Sequence, residues 1–534
     1  MKRLPVLFIC FSIPVLCLAG RMHGGEREVK PVPVPSSISV ITPDAIRADL
    51  EFLASDSLKG RADLTPEFEI AGDYIARRFE SFGLRPVSGG YFETFQLGKI
   101  RLGAENRLAV KRGADDTVFA LKTDFVPYQS TGTACVSAPV VFAGYGIDAS
   151  EHGYNDYANA DGSPLDVKGK IVFLLSHEPG ENDPKSPFDG VELSEYGQLR
   201  MKVQTAVDRG AAGVLIFNDP LNHRSRPPRG FPWPSLNKGV PDDALPFVLV
   251  EDTHIPVLEV GAGVASFLFG SVERLRSIQS FIDSTMKAGS FRLDGVMMTA
   301  QTTTTVENHP LRNVVACIEG SDPRLKDEVL VIGAHYDHVG IRHGLPAGED
   351  SICNGADDNA SGTCGVMAIA EAFAKSDAKP KRTVLFIAFA GEELGLLGSR
   401  VYVNAPLYPL SRTVAMLNFD MIGRNGADSL SIVGAPRSPD LAEIVAAEDQ
   451  EIGMTIRRNE RFFNQSDHAS FARKRIPMLF FNTEGHADLH KVTDNPDRID
   501  YNKAARISRL GFRVAWHIAC SDEHYTYEEK KVAR

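Results

Sequence analysis

Cysteine is scarce in this 534-residue chain, which has seven, two of them (Cys10 and Cys17) within the first twenty residues. The other five, Cys135, Cys317, Cys353, Cys364 and Cys520, contain no Cys-x-x-Cys pair. That argues against a disulfide scaffold and against a thiolate zinc site. One bridge, Cys353 to Cys364, is the pairing left to consider. A basic excess is also lacking: 58 Lys and Arg face 69 Asp and Glu, a net charge of −11. Non-specific nucleic-acid binding, which needs a basic footprint, is thereby disfavoured. Beyond the N-terminus no apolar run approaches the ~20 residues of a membrane span, and no internal repeat is found. What remains, 43% hydrophobic and 24% charged residues, is the composition of a globular protein. The length exceeds one typical core, so two or three domains are expected.

The N-terminal "MKRLPVLFICFSIPVLCLAG" joins two basic residues, an apolar stretch from Leu4 to Leu18 and the small pair Ala19-Gly20. This is the layout of a secretory signal peptide, too short and too proline-broken for a span. It predicts an exported protein, periplasmic or secreted, without stable membrane insertion after cleavage. Lipoprotein anchoring at Cys17 is a weaker alternative because Leu16 stands where a small residue is expected. Residues 21–40, with "PVPVPSSIS", read as a linker. Two amphipathic helices follow: one capped by Thr42 with Ile46, Leu50 and Leu53 on one face, and one carrying Ile70, Tyr74, Ile75, Phe79 and Phe82 before Gly83. Residues 41–129 are assigned to the N-terminal part of the main domain.

Over 130–299 the runs "APVVFAGYGI", "GKIVFLLS", "AAGVLIFND" and "ALPFVLVED" read as short strands around a Pro-rich irregular stretch. With no catalytic cluster evident, this segment is taken as an inserted, β-rich domain. Residues 300–526 return to strand–loop–helix order. The near-continuous apolar runs "EVLVIGAHYDH", "RTVLFIAFAGEE", "TVAMLNFDMIG" and "IPMLFFNTEGH" imply strands buried on both faces. The expected fold is therefore α/β: a mixed, mostly parallel sheet sandwiched by helices, interrupted by the insert.

Ligands of such sheets gather beyond the carboxyl ends of the strands, and there the sequence sets His335, Asp337, Glu392, Glu393, Asp420 and His490. Between the first two strands lies "NGADDNASG", with Asp357 and Asp358 adjacent. Taken singly, each is accounted for by a turn, a cap or a core contact. Acids and imidazoles after every major strand of one sheet are not. The joint reading is a pair of cations: His335, Asp357, Glu393, Asp420 and His490 are donors suited to zinc. With Asp357 bridging, His335 and Asp420 complete one site and His490 and Glu393 the other.

"HYDH", "NGADDNASG", "AGEELGLLGS", "NFDMIG" and "HKVTDN" stand in the order and approximate spacing of metallopeptidase family 28, the co-catalytic zinc aminopeptidases, which the chain resembles over about residues 40–125 and 300–520. The insert resembles the protease-associated domain of many members. The resemblance implies a two-zinc aminopeptidase of peptides or proteins, with Asp357 bridging and its bond to Asp358 in the cis form. It also implies Asp337 orienting His335, Glu392 as general base, and Glu393, Asp420 and His490 as ligands. Met421 is placed at the side-chain pocket, and Asp467 and His468 match a further motif. A glutamate-carboxypeptidase-like enzyme is the alternative, for which Arg424 is the available cation. A transferrin-receptor-like binding protein is a second alternative, opposed by the intact ligand set. Side-chain preference and oligomeric state are left open by the sequence.

Overall fold

The computed structural model describes residue 29 and residues 32–528, apart from 88, 150–151, 160, 184, 189–193, 225, 241–244, 250–253, 343–344, 347, 459 and 461. The expected signal peptide lies outside the described residues. Among the described residues no helix is long and apolar enough to cross a membrane.

The main sheet runs in the order Phe247–Leu249, Phe92–Leu102, Thr304–Ile318, Thr383–Phe389, Val329–His335, Thr413–Phe419, Met478–Asn482, Ser429–Val433, Thr455–Arg458, with Arg85–Pro86 paired to the Thr304 strand. Its centre is parallel: the strands ending at Phe389, His335, Phe419 and Asn482 all run one way. The pairs on the Phe92 side and the Met478–Ser429 pair are antiparallel, while Thr455–Arg458 runs parallel to Ser429–Val433. The central strands are buried at every position, so alternation along each strand sorts side chains to two apolar layers rather than to core and solvent. Leu330, Ile332, Phe386, Leu417 and Phe481 face helices Pro43–Leu53, Pro66–Phe82, Gly362–Ala374, Pro439–Glu448 and Tyr501–Cys520. Val331, Leu385, Phe389, Met416 and Phe480 face Leu397–Asn404 and His468–Ala472. The α/β sandwich expected from the sequence is present.

Helix boundaries follow their local signals. The Thr42 hydroxyl accepts from the Ala45 N–H at 3.1 Å, and Thr65 does the same for Phe68 at 3.2 Å, each meeting one of the orphan donors of a helix start. Gly83, at φ 85°, ends the second helix in the left-handed conformation. Ile70, expected on its apolar face, is instead exposed.

The insert builds a second, eight-stranded sheet, and here the expected boundaries need correction. Strands Arg107–Arg112 and Asp115–Phe119 already belong to it, as does Phe291–Thr302. The chain leaves the main sheet at Gly103 and returns beside it at Thr303, where Gly103 N donates to Thr303 O at 2.7 Å. Crossing out and back as neighbouring strands leaves the two linkers paired, so composition alone does not mark the border. Conversely Phe247–Leu249, read as part of the insert, pairs antiparallel with the Phe92 strand at the edge of the main sheet. The linker also ends earlier than expected. Ser36–Val40 is a 3-10 turn, Val34, Ile38 and Val40 pack on the main core, and the Trp516 indole donates to Pro33 O at 3.0 Å. Packing on helix Gly362–Ala374 and this bond to the last helix hold the strap in place. Cys353 and Cys364 are both free and buried.

Candidate metal centre

His335 is the last residue of its strand, Asp420 the first after its own, and Glu392 and Glu393 follow Phe389 by three and four residues. The parallel register therefore delivers them to one sheet edge. His490 arrives from the segment after Asn482. There His335 Nε2 lies 3.5 Å from an Asp420 oxygen and 3.4 Å from Asp358 Oδ1. On the other side Asp358 Oδ2 lies 3.0 Å from His490 Nε2, which is 3.1 Å from Glu393 Oε2.

The carboxylate between the two imidazoles is Asp358, not Asp357. Asp357 turns away: its Oδ1 accepts from Gly423 N at 2.7 Å and its Oδ2 lies 3.2 Å from His486 Nε2. The cis peptide bond correspondingly joins Asp358 to Asn359 rather than Asp357 to Asp358. The rest of "NGADDNASG" explains the placement. Gly355 sits at φ 58°, and a Cβ there would meet the Asp358 carbonyl at 2.3 Å. A Cβ on Gly362 would meet the Phe419 carbonyl at 2.2 Å. Asn359 donates to Phe419 O at 3.0 Å and accepts from Gly362 N at 2.9 Å, while Ser361 donates to Asp357 O and accepts from Ile422 N. The loop is laid flat against the segment that carries Asp420, which a branched or apolar residue would prevent.

Four further side chains form the frame. Buried Asp494, from "HKVTDN", accepts from the N–H groups of Asp357 and Asp358 at 3.0–3.2 Å. Burial, with Asp357 beside it, pushes its carboxyl up to about 6. Asp337 accepts from Glu392 N at 3.2 Å and from Glu393 N at 3.1 Å. It thus aligns the Glu-Glu turn as well as lying 3.7 Å from His335 Nδ1. Arg61, fully buried, donates to the carbonyls of Tyr336, Asn354 and Gly355 at 2.8, 2.5 and 2.7 Å. His338 places Nδ1 2.9 Å from Glu393 Oε1 and 3.7 Å from Asp358 Oδ2, making it a second imidazole for the outer site. Sequence reasoning assigned no role to Arg61, His338 or Asp494, although two of them lie inside the motifs already singled out.

The donor set fits divalent cations. His335 Nε2, both ring nitrogens of His338, Glu393 Oε1 and Asp420 Oδ1 are buried without a hydrogen-bond partner, a costly condition unless something else satisfies them. His335, Asp358 and Asp420 form one group able to hold an ion, and His338, Asp358 and Glu393 another. Hydrogen bonds to Asp358 and Glu393 hold the His490 imidazole up to about 10; a cation would take the place of that proton. Burial raises the Glu392 carboxyl well above the usual range, opposed by His335 and reinforced by Glu393 and Asp420.

A cavity of about 270 Å³ opens on the cluster, lined by Asp358, Glu392, Glu393 and Asp420 on one side and by Met421, Phe462, Phe480 and Leu489 on the other. Among the described residues no Arg or Lys lines it. Met421 is among the apolar residues of that wall. Asp467 and His468 are not lining residues but lie fully buried, His468 stacked on Phe480 at 4.5 Å. Burial lifts Asp467 to about 7 and lowers His468 to about 3. Arg424 is engaged by Asp488 at 2.6 Å and lies 3.7 Å from Asp494.

A layered α/β sheet thus carries, at its carboxyl edge, a carboxylate–imidazole cluster of the kind a metal-dependent enzyme uses. Residues 313–515 match the model of peptidase family M28, and residues 136–263 that of the PA domain. The chain thus carries a peptidase family M28 domain, with a PA domain inserted. A probable zinc metalloprotease of Pyrenophora teres f. teres is 27% identical over 358 residues, 54% of this chain and 72% of that protein. Leucine aminopeptidase 2 of Trichophyton rubrum is 28% identical over 398 residues, 73% of this chain and 63% of that protein. Among solved structures, an aminopeptidase from Aneurinibacillus sp. strain AM-1 aligns over 92% of this chain and 97% of its own, at 18% identity and a TM-score of 0.47.

Proposed function

We propose that this protein is an exported zinc aminopeptidase that removes N-terminal residues from peptides with two cations per chain. His335, Asp358 and Asp420 would hold one, and Asp358, Glu393 and His490, with His338 adjacent, the other. The observation that carries the reading is Asp358, whose two oxygens each face a separate imidazole and a separate second acid. Export rests on the N-terminal leader pattern alone.

Zinc held there supplies Lewis acidity toward the scissile carbonyl and makes an attacking water acidic at neutral pH. The protein's own groups do the rest. Glu392, 4.0 Å from His335 Nε2 and not needed as a ligand, takes the proton of the attacking water and returns it to the leaving amine as the C–N bond breaks. Its raised affinity for protons matches that double duty. Asp337 acts through position, fixing the backbone of Glu392 and Glu393. The Met421, Phe462, Phe480 and Leu489 wall fits an apolar side chain of the residue to be removed.

Direction of attack follows from charge. A free carboxylate is best held by an arginine fork, yet among the described residues no Arg or Lys lines the cavity, and Arg424 is already paired. The acids at the rim suit an ammonium group. The insert supports a role in access: Tyr128, Arg200 and His254 share a cleft of about 50 Å³ with Leu394, Gly395, Leu397 and Arg400, just after the catalytic glutamates, and Gly395 lines both cavities. In an assay, a peptide amidated at its C-terminus should be trimmed and the same peptide N-acetylated should survive. Trimming of the acetylated peptide from its C-terminus would establish the carboxypeptidase alternative instead.

A further inference from the structure

The insert carries a second cluster of metal-ligating side chains, outside the peptidase site. "LLSHEPGE" and "IFNDPLNH" follow the strands Ile171–Leu175 and Gly213–Phe217, which are adjacent and parallel. Each therefore ends in a pair spaced by four residues, His177 with Glu181 and Asp219 with His223, at the carboxyl edge where sheets collect ligands. Their donor atoms all lie within 4.8 Å of one another. His177 Nδ1 is 2.6 Å from Asp219 Oδ2 and 3.8 Å from a Glu181 oxygen. His223 Nε2 is 2.7 Å from Glu181 Oε1 and 3.4 Å from the same Asp219 Oδ2.

We infer that these four side chains form a closed, four-ligand site for a divalent transition cation of zinc type. Ligand atoms ~2 Å from a tetrahedral ion stand roughly 3.3 Å apart, and the observed separations of 2.6–3.8 Å straddle that value. The two imidazole rings are stacked, 3.9 Å between centroids and 18° between planes. Two imidazoles and two carboxylates so placed offer the nitrogen and oxygen donors that zinc takes. The ligands are also held from behind, as bound ligands generally are. Fully buried Asp219 accepts through Oδ1 from Gln279 Nε2 at 2.8 Å and from Asn222 N at 3.1 Å, and its own N–H donates to Ser176 Oγ at 3.0 Å. Lys202 fixes the His177 carbonyl. His177 itself occupies the left-handed region at φ 56°, a conformation a non-glycine residue keeps only when its surroundings enforce it.

With all four positions taken by protein, the ion would be structural rather than catalytic. It would tie the Pro-rich stretch after His177 to the one after Asp219. The test uses the full-length chain, stripped with a chelator and refilled with Zn²⁺ alone. Wild type should retain one more ion per chain than the variant Glu181→Gln/His223→Gln, a difference that does not depend on how many ions the peptidase site holds. Zn²⁺ should also slow tryptic cleavage after exposed Arg224 roughly tenfold in wild type and not in Glu181→Gln, a single change at the rim that spares the buried frame. Equal metal content in the folded double variant would overturn the site. So would cleavage at Arg224 that Zn²⁺ leaves unchanged, and the quartet would then be a hydrogen-bonded network.

Discussion

Arg61 offers the sharpest test of how the catalytic loops are held. Its guanidinium is fully buried and donates to five carbonyls: Tyr336 at 2.8 Å, Leu53 at 3.1 Å, Asn354 at 2.5 Å, Gly355 at 2.7 Å and Asp358 at 3.3 Å. One side chain thus joins a helix end, the segment beyond His335 and the acidic loop. Removing it with Arg61→Met would leave those carbonyls unsatisfied at ~1–3 kcal/mol each, a sum comparable to the whole stability of a domain, about 5–15 kcal/mol. That variant is not expected to fold. Arg61→Lys is the informative change, because it keeps the charge but replaces a five-donor planar fork with one nitrogen. It can serve at most part of the set, so two or three bonds are lost, at roughly 1–1.5 kcal/mol net apiece. The expected cost is about 3 kcal/mol, equivalent to a fall of ~6–12 °C in the melting transition of a domain this size. Calorimetry of the full chain should show that fall, and kcat/KM on an aminoacyl-nitroanilide should drop with it because Asp358 shares the loop. A Tm within a degree or two of wild type, with unchanged kcat/KM, would refute the idea that Arg61 positions the loop.

Glu392→Gln should lower turnover by ~10²–10⁴-fold while the metal content stays at the wild-type level; loss of the metals would make Glu392 a ligand instead. Asp358→Asn and Asp357→Asn should part company. The first is expected to lose at least one ion per chain under dialysis, because one carboxylate serves both groups. The second should keep its ions and lose thermal stability, since an amide nitrogen replaces the Oδ2 that lies 3.2 Å from His486 Nε2, and the opposite pattern would restore Asp357 as the bridge.

The sequence by itself carried the layered architecture, since buried parallel strands announce themselves as apolar runs and their carboxyl ends then fix where chemistry collects. His335, Glu392, Glu393, Asp420 and His490 were legible for that reason, and the structure brings all five to one edge. Tertiary structure decided what periodicity does not encode. Between Asp357 and Asp358 the loop has neither helical nor strand period, with Asp358 at φ −105°, ψ 96° and Asn359 at φ −129°, ψ 45°. Which acid faces the imidazoles is therefore set by contacts to Phe419, Gly423 and Asp494 rather than by spacing. Arg61 lies 275 residues from one of its acceptors and 293 from another, and no local signal links them. The Phe247–Leu249 strand reads like its neighbours yet joins the other sheet, because an edge strand is claimed by whichever backbone offers unpaired N–H and C=O groups. The quartet of His177, Glu181, Asp219 and His223 shows the same limit: two unremarkable four-residue spacings become one site only when two strands 42 residues apart lie side by side.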